Sequence, residues 1–311
     1  MSQSTETQTM NLDRKESNLL KRMKKNRAAY LFILPSIILL TVFMVFPLIY
    51  SIIMSFYRWD GFSTPNFLGI DNYIRLLNHD NFLLALKNNA IFMVLFTTGT
   101  VVLGFLFAVA ISRKVPGWRI YKFVFFIPVM LVTAVIAVLW GKIYEPSYGL
   151  LNSFLDLIGL ESLQQLWLGN PDITLYSIIC VAIWQVSGWC MLLFLAAIEG
   201  IPNEVHDAAT IDGVSPFQRI ILIIMPMVKR MGFILVMLQI IASVKTFDLI
   251  YVMTGGGPFY ASEVLGTILY REAFENQRFG YASSISVVMT IIIAIITISY
   301  LKFTQVSEQE K

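Results

Sequence analysis

Few residues in this chain could do chemistry, because only 14% of its 311 residues are charged and 57% are apolar. Two ionisable residues, Lys245 and Asp248, fall inside an apolar stretch and are three residues apart, so on one helix their side chains could pair. Charges inside membrane-spanning segments often mark a solute or ion pathway. Two interpretations stay open: a pair that neutralises itself near the outer end of a span, or a position on a translocation path.

Motifs for catalysis, metal binding and nucleotide binding are absent from the sequence. His79 and His206 are the only histidines, and they fall on opposite sides of the predicted membrane, so neither a histidine metal site nor a Ser-His-Asp triad can be assembled. No Walker-type glycine loop with its lysine occurs. Cys180 and Cys190 fall in one predicted span and are expected to be small apolar fillers. We expect a non-enzymatic chain without cofactor or metal.

Apolar residues dominate the composition, with a mean hydropathy of +0.69. The net charge of +3 is modest and gives no indication of nucleic-acid binding. A helix needs about 20 apolar residues to cross the hydrocarbon core. Six stretches qualify: Ala28–Met54, Asn88–Ser112, Ile120–Gly141, Ile173–Ile198, Met231–Met253 and Ser284–Phe303. The sequence therefore predicts an all-α polytopic membrane protein with six transmembrane helices.

Basic residues are distributed unequally between alternate connecting segments. With the N-terminus inside, the inner segments carry 16 Lys and Arg and the outer segments carry 6, while Lys245 lies within a span. Because cytoplasmic loops are enriched in Lys and Arg, both termini are predicted to be cytoplasmic. The predicted organisation is a basic tail over 1–27, a transmembrane domain over 28–303 and a C-terminal tail over 304–311, with an inner loop at 199–230.

The inner loop contains a helix, a glycine turn and a second helix. The first helix is predicted over Asn203–Ile211, and Gly213 ends it because glycine adopts the left-handed conformation without a Cβ clash. Ser215 is the predicted N-cap of the second helix, with Pro216 at its first position and Gln218 completing a capping box. One side of the first helix is expected to carry Val205, Ala208, Ala209 and Ile211.

This loop resembles the EAA loop of ABC importer permeases. The resemblance rests on Asp207-Ala208-Ala209, on Gly213 and on Pro226; the family usually has Glu in place of Asp207 and often Tyr in place of His206. In that family the loop is a cytoplasmic coupling helix that docks into a cleft of the ATP-hydrolysing subunit. The residues that the resemblance implies for this contact are Glu204, Asp207, Ala208, Ala209 and Gly213.

The resemblance extends over residues 28–303. Phe247–Pro258, Gly280–Ala282 and Gly149–Asn152 look like segments of the sugar-importing permeases of the maltose and glycerol-3-phosphate type. It implies the type I ABC importer permease fold in a bacterial plasma membrane and import of a sugar or oligosaccharide. The implied partners are a second homologous permease, two copies of a cytoplasmic ATPase, an extracellular solute-binding protein and membrane lipid.

The substrate path is carried over by position from the resembling maltose permeases. Its implied residues are Gln185, Ser187, Gly188, Lys245, Thr246 and Asp248, flanked by Trp184 and Trp189, which could stack on a sugar. The alternative is an ion-coupled secondary carrier, which would use a buried carboxylate or an unwound half-helix near the middle of the membrane. Asp248 is the only candidate for that carboxylate.

Overall fold

The computed structural model describes residues 27–309, with side chains described for 31–302. The predicted basic tail therefore lies outside the described residues, except for Arg27. The helices are α1 (Arg27–Leu40), α2 (Phe46–Met54), α3 (Asp71–Leu77), α4 (Asp80–Ser112), α5 (Trp118–Met130), α6 (Thr133–Ile143), α7 (Leu150–Leu157), α8 (Thr174–Glu199), α9 (Asn203–Ile211), α10 (Pro216–Arg219), α11 (Met225–Val244), α12 (Asp248–Thr254), α13 (Leu265–Tyr270) and α14 (Phe279–Gln309).

Wider π-helical turns interrupt two of the long apolar helices just before a proline. Thr41–Val45 joins α1 to α2, and Ile220–Ile224 joins α10 to α11. Pro47 and Pro226 each occupy the second position after the turn. A proline removes one helical hydrogen bond and its ring crowds the carbonyl four residues earlier, so a widened turn at that place lets the helix continue.

The remaining short elements lie outside the long helices. A further π-turn, Arg271–Glu275, follows α13, and a 3₁₀ turn, Glu161–Leu163, follows α7. Strands β1 (Tyr57–Arg58) and β2 (Asn66–Phe67) pair antiparallel, with Tyr57 opposite Phe67.

The described part of the chain divides into two compact units, one ending at Ile53 and the other beginning at Met54. Over the described residues, five helical segments are long and apolar enough to cross a membrane, or six if one bent pair of helices counts as a span. They are Leu31–Met54, Asp80–Ser112, Thr174–Glu199, Pro216–Val244 and Phe279–Lys302, with α5 and α6 as the bent pair. The all-α fold class is confirmed, and the sequence missed two breaks in its spans.

The first break falls in the predicted third span, Ile120–Gly141. The prediction of a single straight helix is wrong here, because the chain bends by 102° between α5 and α6. Leu131 and Val132 are extended between them, with ψ angles of 141° and 133°. Pro128 removes one hydrogen bond from the last turn of α5. Hydropathy measures the length of an apolar run, and it carries no information about the direction of the backbone.

The second break falls in the predicted fifth span, Met231–Met253. The helix ends at Val244, and α12 begins only at Asp248. Phe247 between them has φ −149° and ψ −61°, far from helical values. The helix that the sequence predicted to carry both Lys245 and Asp248 is therefore two helices.

Two of the three buried apolar clusters of residues 54–302 follow the length of α8. One apolar cluster surrounds its first half, from Leu175 to Ala182, and includes Phe92 of α4 and Ile136 of α6. A second surrounds its other half, from Cys190 to Ile198. Between the two clusters lies the polar segment around Gln185. The core therefore leaves a polar level near the middle of α8, the most buried of the candidate spans.

Candidate functional sites

A cavity of about 170 Å³ opens at the break between α11 and α12. Helices α4, α6 and α8 supply its other walls. Its lining residues are Phe92, Phe96, Thr133, Ala182, Gln185, Val186, Ala242, Lys245, Thr246, Phe247, Asp248 and Leu249. Four of the six residues predicted for a substrate path, Gln185, Lys245, Thr246 and Asp248, are thus brought to one cavity, which we call the break cavity.

Amide and hydroxyl groups form one side of the break cavity. Gln185 is buried, and its Nε2 donates a hydrogen bond to Oγ1 of Thr133, at 3.2 Å. Thr133 stands at the first position of α6 because the chain bends there. Sequence reasoning missed Thr133, since only the bend brings it opposite Gln185. The aromatic rings of Phe92, Phe96 and Phe247 complete the wall.

The two charged residues of the break cavity do not pair with each other. Among residues 31–302, the ion pairs are Glu263–Arg271, Arg271–Glu275 and Glu272–Arg278. Lys245 instead follows the C-terminal end of α11, and Asp248 begins α12. Each charge is opposite in sign to the partial charge of the helix end where it lies. Of the two interpretations that the sequence left open, the self-neutralising Lys245–Asp248 pair is therefore contradicted, because the helix breaks between its members.

Ser187 and Gly188 lie outside the lining of the break cavity. Ser187 is buried, and its hydroxyl donates to the carbonyl of Trp184 within the same helix at 3.4 Å. A Cβ added to Gly188 would overlap the carbonyl oxygen of Phe125. Gly188 therefore allows α8 and α5 to approach closely. Trp184 packs edge-on against Trp140, with ring centroids 5.4 Å apart.

A second site is formed by α9 and the turn after it. Val214 N–H donates to the carbonyl of Ala209 at 3.0 Å, which ends the helix, and Gly213 has φ +67°. Ser215 and Gln218 form the predicted capping box, with distances of 3.0 and 3.3 Å. The helix bounds, the left-handed glycine and the cap are all confirmed.

The apolar side predicted for α9 is partly wrong. Val205 and Ala209 pack inward, and Ala209 is only 3% exposed. Ile211, in contrast, is 85% exposed. The exposed face of the helix follows the spacing i, i+3, i+4, i+7. This stripe consists of Glu204, Asp207, Ala208 and Ile211.

A third region, the loop Gly255–Glu263, is held in place by distant residues. Asn88 of α4 donates from Nδ2 to the carbonyl oxygens of Ala261 and Glu263, at 3.0 and 2.9 Å. Asn89 accepts from the N–H of Leu265 at 2.7 Å. Sequence reasoning missed both asparagines, although two adjacent amides at the start of a span were a usable signal.

A buried ion pair lies under the same loop. The Glu263 side chain is 0% exposed and lies 3.0 Å from the Arg271 guanidinium, which also donates to the carbonyl of Gly255 at 2.9 Å. Burial raises the pKa of Glu263, although the charge of Arg271 acts in the opposite direction. The loop carries two residues with left-handed backbone, Phe259 and Tyr260. Phe259 is 88% exposed, so the loop presents an aromatic ring on a fixed support.

The fold and these sites define a class of protein: a polytopic helical permease with a polar cavity at a broken span and a short helix in a loop between spans. Comparison with known proteins gives the family. Residues 100–310 match the family described as binding-protein-dependent transport system inner membrane component, and the chain belongs to that family.

Individual relatives match almost the whole chain. The probable ABC transporter permease protein YurN of Bacillus subtilis is 36% identical over 90% of this chain and 97% of its own length. The trehalose/maltose transport system permease protein MalF of Thermococcus litoralis is 30% identical over 92% and 97%. A chain in the crystal structure of a bacterial ABC transporter involved in alginate import has a TM-score of 0.82 at 22% identity, covering 93% of this chain and 98% of its own, and shares the fold.

Family membership identifies the transporter complex of which the chain is a subunit. It is a multi-pass inner-membrane permease and a non-catalytic subunit of an ABC importer. ATP hydrolysis belongs to a separate partner subunit. A second permease and an extracellular binding protein are its other partners. The ion-coupled carrier is not favoured.

Proposed function

We propose that this chain is the permease subunit through which a sugar or oligosaccharide crosses the membrane. The observation that carries the proposal is the break cavity, where an amide, two hydroxyls and aromatic rings converge at a gap in a span. Sugars need paired hydrogen-bond donors and acceptors with apolar faces for their C–H groups. Relatives of the chain are named for trehalose/maltose, for multiple sugars and for diacetylchitobiose.

The charges of the break cavity favour a solute without net charge. Lys245 and Asp248 contribute one positive and one negative charge, and each lies at a helix end of opposite polarity. The volume also matters, because about 170 Å³ is below the roughly 300–1,000 Å³ of sites that enclose a small ligand. One permease in this conformation therefore supplies part of a sugar site, and the second permease supplies the rest.

The break also provides a joint for alternating access. Helix α12 packs on α6 and α8, whereas α11 packs on α4, α8 and α14. The two halves of the interrupted span can therefore change their relative tilt at residues 245–247 without bending a continuous helix. In this scheme the break cavity opens toward one side and then the other as the ATPases close and separate.

The stripe Glu204, Asp207, Ala208 and Ile211 is the proposed contact with the ATPase. It is exposed, and Ala208 is small enough for a neighbouring helix to approach closely. Ala209 and Gly213 act differently, since Ala209 packs inward and Gly213 sets the turn. With α9 in the cytoplasm, both termini are cytoplasmic and the loop Gly255–Glu263 faces outward, as the distribution of Lys and Arg predicts.

The path is tested by Thr246→Trp in the assembled importer. The indole would fill the break cavity, so uptake of the radiolabelled sugar should fall at least tenfold, while assembly and basal ATP hydrolysis persist. The matched control is Leu222→Trp, because Leu222 is exposed on the apolar surface of the same long helix. Similar uptake by the two variants would rule out this path.

Ser187 and Gly188 were also proposed for the path, and substitution by alanine distinguishes that role from a packing role. If Gly188 serves packing, Gly188→Ala should lower the amount of assembled importer. If Ser187 or Gly188 lines the path, its alanine variant should lower uptake without lowering assembly.

The orientation is tested by impermeant thiol labelling of whole cells, with Cys180 and Cys190 replaced by serine. A cysteine at Ser162 should react from outside, and one at Val214 should not. The reverse pattern would overturn both the orientation and the assignment of α9 as the coupling helix.

A further inference from the structure

A larger cavity of about 450 Å³ lies beside α9, away from the break cavity. The end of α4, the inner side of α9 and the start of the span at Pro216 enclose it. Its lining residues are Val109, Ser112, Arg113, His206, Val214, Pro216, Arg219, Ile220 and Ile224. We call it the Arg113–Arg219 pocket. Neither the sugar path nor the ATPase stripe uses it.

The charge of the Arg113–Arg219 pocket has one sign. Its lining contains two guanidiniums and an imidazole, and none of its nine residues is Asp or Glu. Arg219 donates from Nη2 to the hydroxyl of Thr210 at 2.8 Å. Its Nε is buried and has no hydrogen-bond partner among the described residues. A buried donor without an acceptor is costly, so this nitrogen indicates a missing acceptor.

The rest of the pocket wall is apolar. Val109, Ile220 and Ile224 are aliphatic, and they would gain little from a small hydrated anion. Just beyond the pocket, Leu222 and Met225 are exposed on the surface of the same span. The ligand that satisfies both parts of the wall carries a negative group and a hydrocarbon part.

The position of the pocket matches the level of lipid headgroups. One candidate span ends at Ser112 and another begins at Pro216, and both residues line the pocket. Headgroups lie where such spans leave the hydrocarbon core. The guanidinium group matches the oxygens of a phosphate in shape and charge.

We propose that the Arg113–Arg219 pocket binds the headgroup phosphate of an anionic phospholipid from the leaflet on the side of α9. Arg113 and Arg219 contact the phosphate, and the Nε of Arg219 gains its acceptor. The upper part of the acyl chains lies against Ile220 and Ile224. The lipid then connects α4 to α9 through Arg219 and Thr210.

A carboxylate of the ATPase is a poorer fit to this pocket. Successive residues on a helix are separated by about 100°. His206, the α9 side chain that lines the pocket, therefore lies about 100° or more around the helix from every member of the stripe Glu204, Asp207, Ala208 and Ile211. An ATPase docked on the stripe leaves the pocket open to the membrane side.

The test uses the complete importer purified from vesicles of phosphatidylcholine and phosphatidylglycerol in equal amounts. Native mass spectrometry counts the phosphatidylglycerol molecules that stay bound. The variant is Arg113→Gln with Arg219→Gln. Retention should fall at least about tenfold, since two charge-assisted contacts are lost. The matched control is Lys114→Gln with Arg119→Gln, which removes two charges from the same connecting segment outside the pocket lining and should keep its lipid.

Three further arms decide the outcome. Arg219→Lys keeps the positive charge, so this variant should retain an intermediate amount of phosphatidylglycerol. The melting temperature of each variant in phosphatidylcholine alone verifies that it is folded. Equal retention by the pocket variant and its control would overturn the proposal. So would displacement of the lipid by inorganic phosphate at equal concentration, which would identify a site for soluble anions. Loss of retention when the ATPase is stripped from the wild-type complex would assign the pocket to that subunit and would equally overturn it.

Discussion

Two segments, named here for their proposed role and proposed orientation, are built from similar parts and held by different contacts: the coupling segment, residues 203–219, and the outer loop, Gly255–Glu263. Each contains a glycine with positive φ and reverses the chain outside the hydrophobic spans. In the coupling segment the side-chain hydrogen bonds join residues three to nine positions apart. In the outer loop and at the helix start that follows it, the backbone is bonded by Asn88 and Asn89, more than 170 positions away.

This difference separates a region whose side-chain hydrogen bonds are local from one that is bonded to a distant helix. Local hydrogen bonds travel with α9 when it tilts, so the coupling segment can transmit force as a unit. The outer loop is tied to α4, and its buried Glu263 side chain pairs with the part-exposed Arg271. Its position is therefore fixed relative to the spans, and any movement must carry those spans along.

The largest effect is expected for Arg271→Met, which leaves the Glu263 carboxylate buried without its cation. Removing one partner of a buried pair costs about 3–5 kcal/mol, and the part-exposed arginine places this one near the lower value. The melting temperature of the purified importer should drop markedly. The double variant Arg271→Met with Glu263→Gln should recover part of the loss; a double variant less stable than the single one would contradict the pairing.

Two glycine substitutions compare the regions directly. Gly213→Ala should lower the free energy of unfolding by about 1–2 kcal/mol through backbone strain. Strain is the only cost, because an added Cβ would meet no atom within 4 Å. At Gly256, with φ +92°, the Cβ would also overlap the carboxylate of Glu263. Gly256→Ala should therefore lower the melting temperature more than Gly213→Ala, while Gly213→Ala mainly lowers ATPase stimulation. Equal melting temperatures would show that the buried pair is not rigid.

The pH dependence of stability should report on Glu263. Burial raises the pKa of this carboxyl in the folded protein, so the folded state binds the proton more tightly than the unfolded state. The stability that the protonated Glu263 carboxyl contributes is fully present below the pKa of a glutamate in the unfolded chain, about 4.3. It is lost as the pH rises through the pKa of Glu263 in the folded protein. Glu263→Gln cannot ionise and should show a flatter fall in melting temperature between acid and neutral pH. An unchanged slope would assign the dependence to another group.

The smallest effect is expected for Asp207→Glu in the coupling segment. The substitution restores the residue that the resembling permeases usually have, and the side chain is exposed. Solute-stimulated ATP hydrolysis in reconstituted membranes should stay within about twofold, as for most surface substitutions. Ala208→Trp at the adjacent position of the stripe should abolish stimulation. If both variants behaved alike, the stripe would not be the docking surface.

Sequence reasoning succeeded where a few adjacent residues determine the structure. The bounds of α9, the left-handed Gly213 and the Ser215–Gln218 capping box depend on neighbours in the chain, and each was predicted correctly. It failed on the inward packing of Ala209, because an amphipathic pattern does not say which apolar residue meets the body of the protein.

The same dependence on distant contacts explains why the sequence predicted only part of the lining of the break cavity. Gln185, Thr246 and Asp248 were proposed from the sequence, but Thr133 joins them only because α5 and α6 bend by 102°. Hydropathy described both interrupted spans as continuous, since an extended Val132 is as apolar as a helical one. The breaks depend on contacts between distant segments, which a local pattern does not contain.

The two asparagines of α4 limit how far permeases of this kind can be recombined. A chimera that receives the segment 255–265 from a relative also needs matching amides at positions 88 and 89, because these amides bond the backbone of Ala261, Glu263 and Leu265. The coupling segment, in contrast, contains its own hydrogen bonds and can be transplanted as one piece. Transplanting the coupling segment is therefore a simpler engineering task than transplanting the segment 255–265.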